Sequence, residues 1–220
     1  MEMWRRLGLA PGVICAIGSG GKTSLLLRLA QTLPGTVIFC TTTKIFPPAD
    51  MPVLCEADAA QLTAVLGRSR AVCVGTPTEE GKLTLPRLPL RELRRLADFV
   101  LVEGDGSRQL PLKAHGPGEP VIPNETDRLL TLVGASGFGR PIRAAAHRPE
   151  RFALLASAGQ DDEATPARVA AVLRAEGLGG TLVVNQADTP ERLRLAAELA
   201  ALLGKSGFAG EVRRDELTEL

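Results

Sequence analysis

The sequence lacks an excess of charge of either sign. Its 220 residues include 26 lysines and arginines against 25 aspartates and glutamates, which gives a formal net charge of +1. A balance of this kind creates no global field that would draw the protein to nucleic acid or to an anionic membrane. We therefore expect no nucleic-acid partner and no membrane partner, and any anion must bind at a local site.

Clustered metal ligands are also missing. The two histidines, His115 and His147, lie far apart, and the four cysteines form no C-x-x-C pair. This spacing argues against a dedicated zinc or iron–sulfur site. Most of the cysteines fall in apolar runs typical of buried strands, so we expect reduced core thiols. A minor alternative is that Cys40, just before a threonine run, is an exposed thiol of low pKa that carries selenide.

Long hydrophobic runs are absent as well. No stretch approaches the roughly 18 apolar residues that a membrane-spanning helix needs. The apolar stretch after Arg5 and Arg6 is interrupted by Pro11 and Gly12, too early for a signal peptide. We therefore expect a cytoplasmic protein.

What the chain does contain is an alternation of short apolar runs with helical periods. It begins with the continuous run GVICAIG, a glycine-rich turn, and leucines at helical spacing in TSLLLRLAQTL. This alternation predicts an α/β fold of the P-loop NTPase type, with a mostly parallel central sheet and helices on both faces. The 45% hydrophobic content is enough for a continuous core, so we expect a single domain over residues 1–220.

The turn after the first strand matches the phosphate-binding P-loop pattern, with Ala16 where glycine more often opens the motif. Its glycines let backbone N–H groups face a polyphosphate at a helix N-terminus. Lys22 is expected to reach the β- and γ-phosphates as a catalytic residue, and Thr23 to bind Mg²⁺. An accidental glycine-rich turn is the alternative. The predicted nucleotide contacts are Gly18, Ser19, Gly20, Gly21, Lys22, Thr23 and Ser24.

Two further strand ends carry polar residues. Thr42, Thr43 and Lys44 follow the second strand and are expected to complete a Mg²⁺ shell or to hold a second substrate. Glu103 and Asp105 end the strand DFVLVE, where P-loop proteins place the acid that orients Mg²⁺ or its water, so both are candidate catalytic residues and Mg²⁺ ligands. The alternatives are threonines that merely suit a strand end and acids that merely form a turn.

A late strand, TLVVN, runs into Asn185-Gln186-Ala187-Asp188, which resembles the N-K-x-D element of GTPases. The Asp188 carboxylate could accept two hydrogen bonds from guanine, which adenine does not offer. Gln186 replaces the usual lysine, which weakens the case for guanine. Asn185 and Asp188 are therefore candidate base contacts for GTP or ATP, and the alternative is a turn with Asp188 near a helix N-cap.

The connection over residues 104–127 is rich in proline and glycine and long for a compact domain, which indicates a functional loop. Lys113 in this loop is a candidate ligand for a second anion, and His115 could bridge to that anion. A plain solvated lysine is the alternative.

Four segments, in order along the chain, resemble one known family: GSGGKTSLL, TTTKIF, VEGDGSRQLPLKAHGPGEPVIP and AHRPE. Together they resemble the YqeC family, described as accessory to selenium-dependent molybdenum hydroxylases. That family usually has E-A-D-G-S where this chain has Gly104 between its acids, one small residue for another. The resemblance implies a role in maturing a selenium-containing molybdenum cofactor. Its implied partners are a selenium or molybdenum-cofactor intermediate and a hydroxylase.

Three functions are compatible with these features. The leading hypothesis is an enzyme that hydrolyses or transfers the γ-phosphoryl group of Mg-ATP or Mg-GTP during cofactor maturation. The same fold would suit a small-molecule kinase whose loop 104–123 binds the acceptor. A third hypothesis is a carrier or docking module that binds nucleotide without hydrolysing it. Fold resemblance alone does not choose among them.

Overall fold

Strands and helices alternate along the chain, as the hydrophobic pattern predicts. A computed structural model of the protein describes residues 2–220. The chain packs as two compact units, each made of segments that are distant in sequence. The first unit comprises the chain up to Ile17, Leu25–Gly106 and Val121–Leu129, and the second comprises Gly18–Ser24, Ser107–Pro120 and Leu130–Leu220.

The first unit is built on parallel strands. Its strands are β1 (Gly12–Gly18), β2 (Val37–Thr41), β3 (Val53–Cys55), β4 (Ala71–Pro77), β5 (Leu83–Thr84) and β6 (Phe99–Glu103). Its helices are α1 (Met3–Arg6), α2 (Lys22–Thr32, which begins in the second unit), α3 (Ala59–Leu66) and α4 (Leu90–Leu96). The strands lie in the order β3-β4-β2-β6-β1, and β5 pairs antiparallel with β4.

The central strands of this unit form its core. Every residue of β1, β2 and β6 is buried, as expected for continuous apolar runs in a parallel sheet that is covered on both faces. The register pairs Glu103 with Ala16 on one side and with Thr41 on the other. Ala16, Glu103 and Thr41 therefore lie side by side, and β1 continues two residues further to Gly18.

The second unit combines a sheet with helices. Its strands are β7 (Leu112–Lys113), β8 (Arg128–Gly134), β9 (Ala146–His147), β10 (Thr181–Asn185), β11 (Gly207–Glu211) and β12 (Glu216–Glu219). Its helices are α5 (Ile142–Ala145), α6 (Pro149–Leu155), α7 (Pro166–Ala175) and α8 (Pro190–Leu203). Strands β8, β10 and β11 are parallel, β12 is antiparallel to β11, and β7 pairs with β9 in a separate parallel ribbon.

The two long helices of this unit begin in the same way. Thr165 and Thr189 act as N-caps of α7 and α8, and each is followed by a proline at the first helical position. Both devices satisfy or avoid the N–H groups that a helix start leaves without partners. Helix α8 ends at Gly204, whose φ of 63° lies in the left-handed region.

The predicted α/β class, the mostly parallel sheet and the P-loop NTPase-like architecture flanked by helices are confirmed. The single domain stays a prediction. The loop expected over residues 104–127 contains the short strand β7. Within residues 2–220, no helix is long and apolar enough to cross a membrane.

Candidate functional site

Three glycines shape the loop between β1 and α2. Gly18, Gly20 and Gly21 have φ angles of 93°, 80° and 118°, in the region that favours glycine. A Cβ atom on Gly18 would lie 2.3 Å from the Leu132 carbonyl oxygen, and one on Gly20 would lie 2.3 Å from the Cα atom of Gly134. Because the neighbouring atoms belong to the backbone, no larger residue fits at Gly18 or Gly20 without a shift of the chain.

Lys22 begins α2 and folds back over the loop. Its Nζ donates a hydrogen bond of 2.7 Å to the Gly18 carbonyl oxygen, and the residue is buried. The N–H groups in the first turn of this 11-residue helix lack partners within the helix and carry partial positive charge. Thr23 and Ser24 lie in that turn, and the Ser24 hydroxyl oxygen accepts from Arg213 Nε at 3.3 Å. The loop therefore combines features suited to an anion.

The segment Leu110–Pro111 holds the loop in this conformation. The Gly20 N–H donates to the Leu110 carbonyl oxygen at 3.3 Å, and the Ser19 hydroxyl donates to the Pro111 carbonyl oxygen at 2.8 Å. The Ser19 N–H donates to the Leu132 carbonyl oxygen at 3.0 Å. Sequence reasoning missed this clamp because it is made by backbone carbonyl groups, which leave no local signal in the sequence.

Asn185 supports the loop from the end of β10. Its Nδ2 donates to the Gly20 carbonyl oxygen at 2.7 Å, and its Oδ1 accepts from the Val212 N–H at 3.0 Å. The side chain is buried, and a Cβ atom on Gly21 would lie 2.4 Å from its Nδ2. The residue predicted to contact a base is thus hydrogen-bonded directly to the glycine loop.

Asp188 faces its own helix. Its carboxylate accepts from Arg192 at 2.6 Å, and this hydrogen bond lowers the pKa of Asp188. Thr189 is the N-cap of α8. Asp188, which the sequence analysis placed near this cap, is the residue immediately before it. Gln186 has a φ of 60°, and its Oε1 accepts from the Ser136 hydroxyl at 2.5 Å. The base contact at Asp188 stays a prediction.

In the first unit, the threonine hydroxyls after β2 bind neighbouring backbone. The Thr41 hydroxyl donates to the Glu103 carbonyl oxygen at 2.9 Å, and the Thr42 hydroxyl donates to the Val121 carbonyl oxygen at 2.8 Å. The Thr43 N–H donates to the Thr41 hydroxyl oxygen at 3.0 Å. These contacts fix the turn after β2, and the predicted Mg²⁺ or substrate contacts there stay predictions.

The two acids after β6 are buried, whereas Lys44 lies at the surface. Glu103 is 6% exposed and Asp105 is 0% exposed. The predicted Mg²⁺ contacts of the two acids stay predictions. Lys44 pairs with Glu80 at 3.0 Å, and the hydrogen bonds from Lys44 and a neighbouring lysine lower the pKa of Glu80.

Lys113 is buried in an ion-paired cluster of the second unit. Its side chain is 1% exposed, and its Nζ lies 3.2 Å from Glu119 Oε2. Arg148 donates to both oxygens of the same carboxylate, at 2.7 and 2.9 Å. The burial excludes the alternative of a solvated lysine. Glu119 and Arg148 lie in the segments that carry the family resemblance, but their pairing could not be inferred from sequence.

His115 is bound by another acid. Its N–H donates to Glu176 Oε1 at 2.6 Å, and its Nδ1 lies 2.8 Å from Glu176 Oε2. Together with Gly18, Ser19 and Lys113, the histidine lines a cavity of about 10 Å³ with otherwise apolar walls, which is space for a single water molecule. Two residues of the glycine loop and Lys113 therefore line the same cavity within the second unit.

The cysteines are free thiols, and three of them are buried. Burial raises the pKa of the Cys40 thiol far above its usual range and that of Cys73 to about 12. Such thiols do not form thiolates near neutral pH. The buried position of Cys40 therefore favours core packing over the alternative of an exposed selenide carrier.

Comparison with known proteins connects this geometry to a family. The profile of the YqeC protein family matches residues 14–150 of this chain. The chain belongs to the YqeC family. It is also 35% identical over 153 residues to "Uncharacterized protein YqeC" of Escherichia coli (strain K12), a match that covers 65% of this chain. The chain spans about 60% of the length of that YqeC relative.

The YqeC family profile covers some of the candidate site residues and not others. Residues 14–150 include the glycine loop, both buried acids and the cluster of Lys113, Glu119 and Arg148. Asn185 and Asp188 lie beyond this range, so family membership lends no support to a base contact at either residue.

Gly104 is the position at which the chain departs from the usual YqeC motif. Its N–H donates to the Ala16 carbonyl oxygen at 2.9 Å. A Cβ atom there would lie 2.9 Å from Ile17 Cγ2 and 3.0 Å from Cys15 Sγ. An alanine at this position would therefore need a small shift of these two side chains. An exchange between alanine and glycine here is thus linked to the packing of Ile17 and Cys15.

Proposed function

We propose that this YqeC family protein binds Mg-ATP or Mg-GTP in its glycine loop and hydrolyses or transfers the γ-phosphoryl group. The observation that carries the proposal is steric. At Gly18 and Gly20 a Cβ atom would lie 2.3 Å from backbone atoms, while Lys22 and a helix N-terminus lie against the same loop. A loop that excludes side chains and gathers N–H groups and an ammonium is suited to a polyphosphate.

Nucleotide binding requires the loop to exchange partners. The N–H groups of Ser19 and Gly20 donate to carbonyl oxygens of Leu132 and Leu110. A phosphate in the loop would compete for these donors, and the Lys22 ammonium would turn from the Gly18 carbonyl oxygen to the β- and γ-phosphates. Charge-assisted bonds to phosphate are stronger than the neutral bonds that they replace, which favours the exchange.

The metal ion proposed to accompany the nucleotide is Mg²⁺. Mg²⁺ is usually held by one or two carboxylates together with phosphate oxygens and water, rather than by an all-protein cage. Residues 2–220 contain no group of three or more histidine, cysteine or acidic side chains placed to hold a metal ion. From the sequence pattern alone, Thr23 is proposed as a Mg²⁺ ligand, and Glu103 or Asp105 as the acid that binds or orients Mg²⁺ or its water. When bound, Mg²⁺ would neutralise charge on the phosphates.

The residues proposed to contact the base lie at the end of β10 and just after it. The Asn185 amide is bound to Gly20 and Val212, which makes it a support of the loop. Asp188 is the proposed contact for guanine, and it would have to leave Arg192 to reach a base. A stronger response to ATP than to GTP would leave Asn185 as a support of the loop and Asp188 as a residue beside the N-cap of α8.

The pathway assignment rests on the family. A YqeC role in maturing a selenium-containing molybdenum cofactor, in the cytoplasm, would supply a selenium or molybdenum-cofactor intermediate as second substrate and a hydroxylase as partner. The burial of Lys113 beside Arg148 and Glu119 favours one specific variant, in which the loop over residues 104–123 binds a phosphate acceptor as in a small-molecule kinase.

Product analysis distinguishes these activities. The protein is incubated with γ-labelled Mg-ATP or Mg-GTP, alone and with a small-molecule extract. Free phosphate indicates hydrolysis, label on a metabolite indicates a kinase, and intact bound nucleotide indicates a docking module. Glu103→Gln and Asp105→Asn should each lower product formation about a hundredfold. The exposed Glu79→Gln serves as control, and equal rates in all four proteins would refute the assigned role of the acids.

A further inference from the structure

The carboxylate of Glu119 accepts hydrogen bonds in the way that a bound anion would. Both of its oxygens accept from the guanidinium of Arg148, at 2.7 and 2.9 Å, and Lys113 Nζ lies 3.2 Å from Oε2. A fork of two parallel N–H donors is the geometry with which arginine recognises carboxylates and phosphates. The side-chain exposure rises from 1% for Lys113 to 23% for Glu119 and 33% for Arg148, so the group opens toward solvent at the arginine.

The surroundings of this group are cationic. Burial and the charges of Arg148, Lys113 and Arg108 together lower the pKa of His147, which pairs with Lys113 between β7 and β9. Burial alone would raise the pKa of Glu119, but its hydrogen bonds and charges from Arg148 and Lys113 lower it to about 2. Two cations, Arg148 and Lys113, thus act on one carboxylate, and the local field favours a further anion.

The segment that carries Glu119 lies partly at the surface. Gly116 lies flat against the guanidinium, since a Cβ atom there would lie 3.1 Å from Arg148 Cζ. Gly118 is exposed with a φ of 74°, and no described atom lies within 4 Å of the place of its Cβ. Glu119 therefore lies in a turn between Gly118 and Pro120, in which its N–H donates to the Gly116 carbonyl oxygen at 3.1 Å. Lys113, in contrast, lies in β7, and Arg148 is the N-cap residue of α6.

We propose that Arg148 and Lys113 form an oxyanion site for the second substrate, and that Glu119 occupies this site until the substrate displaces it. The inference rests on the proposed function because a phosphoryl-transfer enzyme needs a second binding site near its phosphate loop. Lys113 lines the same cavity as Gly18 and Ser19 of that loop. The ligand class is a small molecule that carries a phosphate or carboxylate group.

Substitutions with opposite expected effects on anion affinity test the proposal. Calorimetric titration measures the binding of two probe anions, inorganic phosphate and malonate. Glu119→Gln removes the resident negative charge, so this variant should bind one probe about tenfold more tightly than the wild type. Arg148→Gln should bind it about tenfold more weakly. Glu119→Asp, which keeps the charge on a shorter side chain, should give a smaller gain and remains informative if Glu119→Gln fails to fold. The exposed Arg143→Gln is the control for charge.

The outcomes separate the oxyanion site from the phosphate loop. Probe binding that increases in Glu119→Gln and persists when Lys22→Ala is added supports the proposal, and the preferred probe identifies a phosphorylated or a carboxylated substrate. If Glu119→Gln gains no affinity, or if Lys22→Ala removes the gain, the carboxylate is only a structural partner and the proposal is overturned. Titration of the wild type with Mg-ATP and Mg-GTP tests the proposed function separately, so each can fail alone.

Discussion

The glycine loop after β1 and the threonine turn after β2 follow buried parallel strands in the same way, but they use side chains differently. In the loop, backbone atoms fill the places where the side chains of Gly18 and Gly20 would stand. In the turn, the hydroxyls of Thr41 and Thr42 donate hydrogen bonds to backbone carbonyl groups. The loop thus packs its backbone directly against other backbone, whereas the turn uses its hydroxyl groups to hold its backbone.

This comparison predicts very different sensitivities to substitution. A change at Gly18 or Gly20 must move the backbone, whereas a change at Thr42 removes only the hydrogen bonding of one hydroxyl group. The predictions below test the difference, beginning with the largest expected effect.

Gly20→Ala should destabilise the protein by about 3 kcal/mol, because the new Cβ would lie 2.3 Å from Gly134 and the residue would keep a positive φ. Urea unfolding measures the free energy. Gly177→Ala is the matched control, since Gly177 has a φ of 63° and no described neighbour within 4 Å of its Cβ position. The control should lose only about 1 kcal/mol. Equal losses would show that the loop is not sterically closed.

Asn185→Ala should cost about 2 kcal/mol, because it removes the donor to Gly20 and the acceptor for Val212 and leaves both groups buried. Thermal unfolding measures the change. The exposed Asn124→Ala should change stability by less than about 0.5 kcal/mol. A similar small effect for Asn185→Ala would mean that the loop does not depend on this support.

The ion-paired cluster should make stability depend on acid pH. The pKa of Glu119 is lowered from 4.5 to about 2, so its contribution is complete above about pH 4.5 and is lost as pH falls toward 2. After allowance for exposure, the contribution is about 1–2 kcal/mol. The difference in unfolding free energy between wild type and Glu119→Gln should shrink between pH 6 and pH 3. A constant difference would contradict the lowered pKa, and Glu198→Gln, at a surface ion pair, provides the baseline.

Thr42→Val should have the smallest effect, about 0.5–1 kcal/mol, because it removes one half-exposed hydrogen bond to Val121. Urea unfolding of this variant and of the exposed Thr218→Val measures the difference. A loss as large as that of Gly20→Ala would erase the contrast between the loop and the turn.

The fold and the loop could be predicted from sequence because both depend on neighbours along the chain. A buried strand, three glycines, a lysine and a leucine-rich helix stand in one short stretch. The clamp of Leu110–Pro111, the bond from Asn185 to Gly20 and the pairing of Glu119 with Arg148 depend on residues far apart in sequence. Such contacts are set by tertiary packing, and the individual residues give no sign of their partners.

Two of the predicted residues show the same limit. Asn185 was predicted from a motif, but the motif could not reveal that its amide binds the loop. Lys113 was predicted to bind an anion, and the structure shows a buried lysine beside Glu119, a carboxylate of its own chain. In both cases the residue type indicated the chemistry, whereas only the fold identified the partner.

Calorimetric titration with Mg-ATP and Mg-GTP tests the central claim most directly. The wild type and the control Lys205→Ala, which changes an exposed lysine, should bind at least one of the two nucleotides. Lys22→Ala should keep the fold by circular dichroism and bind at least about a hundredfold more weakly. Unchanged affinity in Lys22→Ala, or no binding of either nucleotide by the wild type, would contradict the assignment of the glycine loop as a nucleotide site.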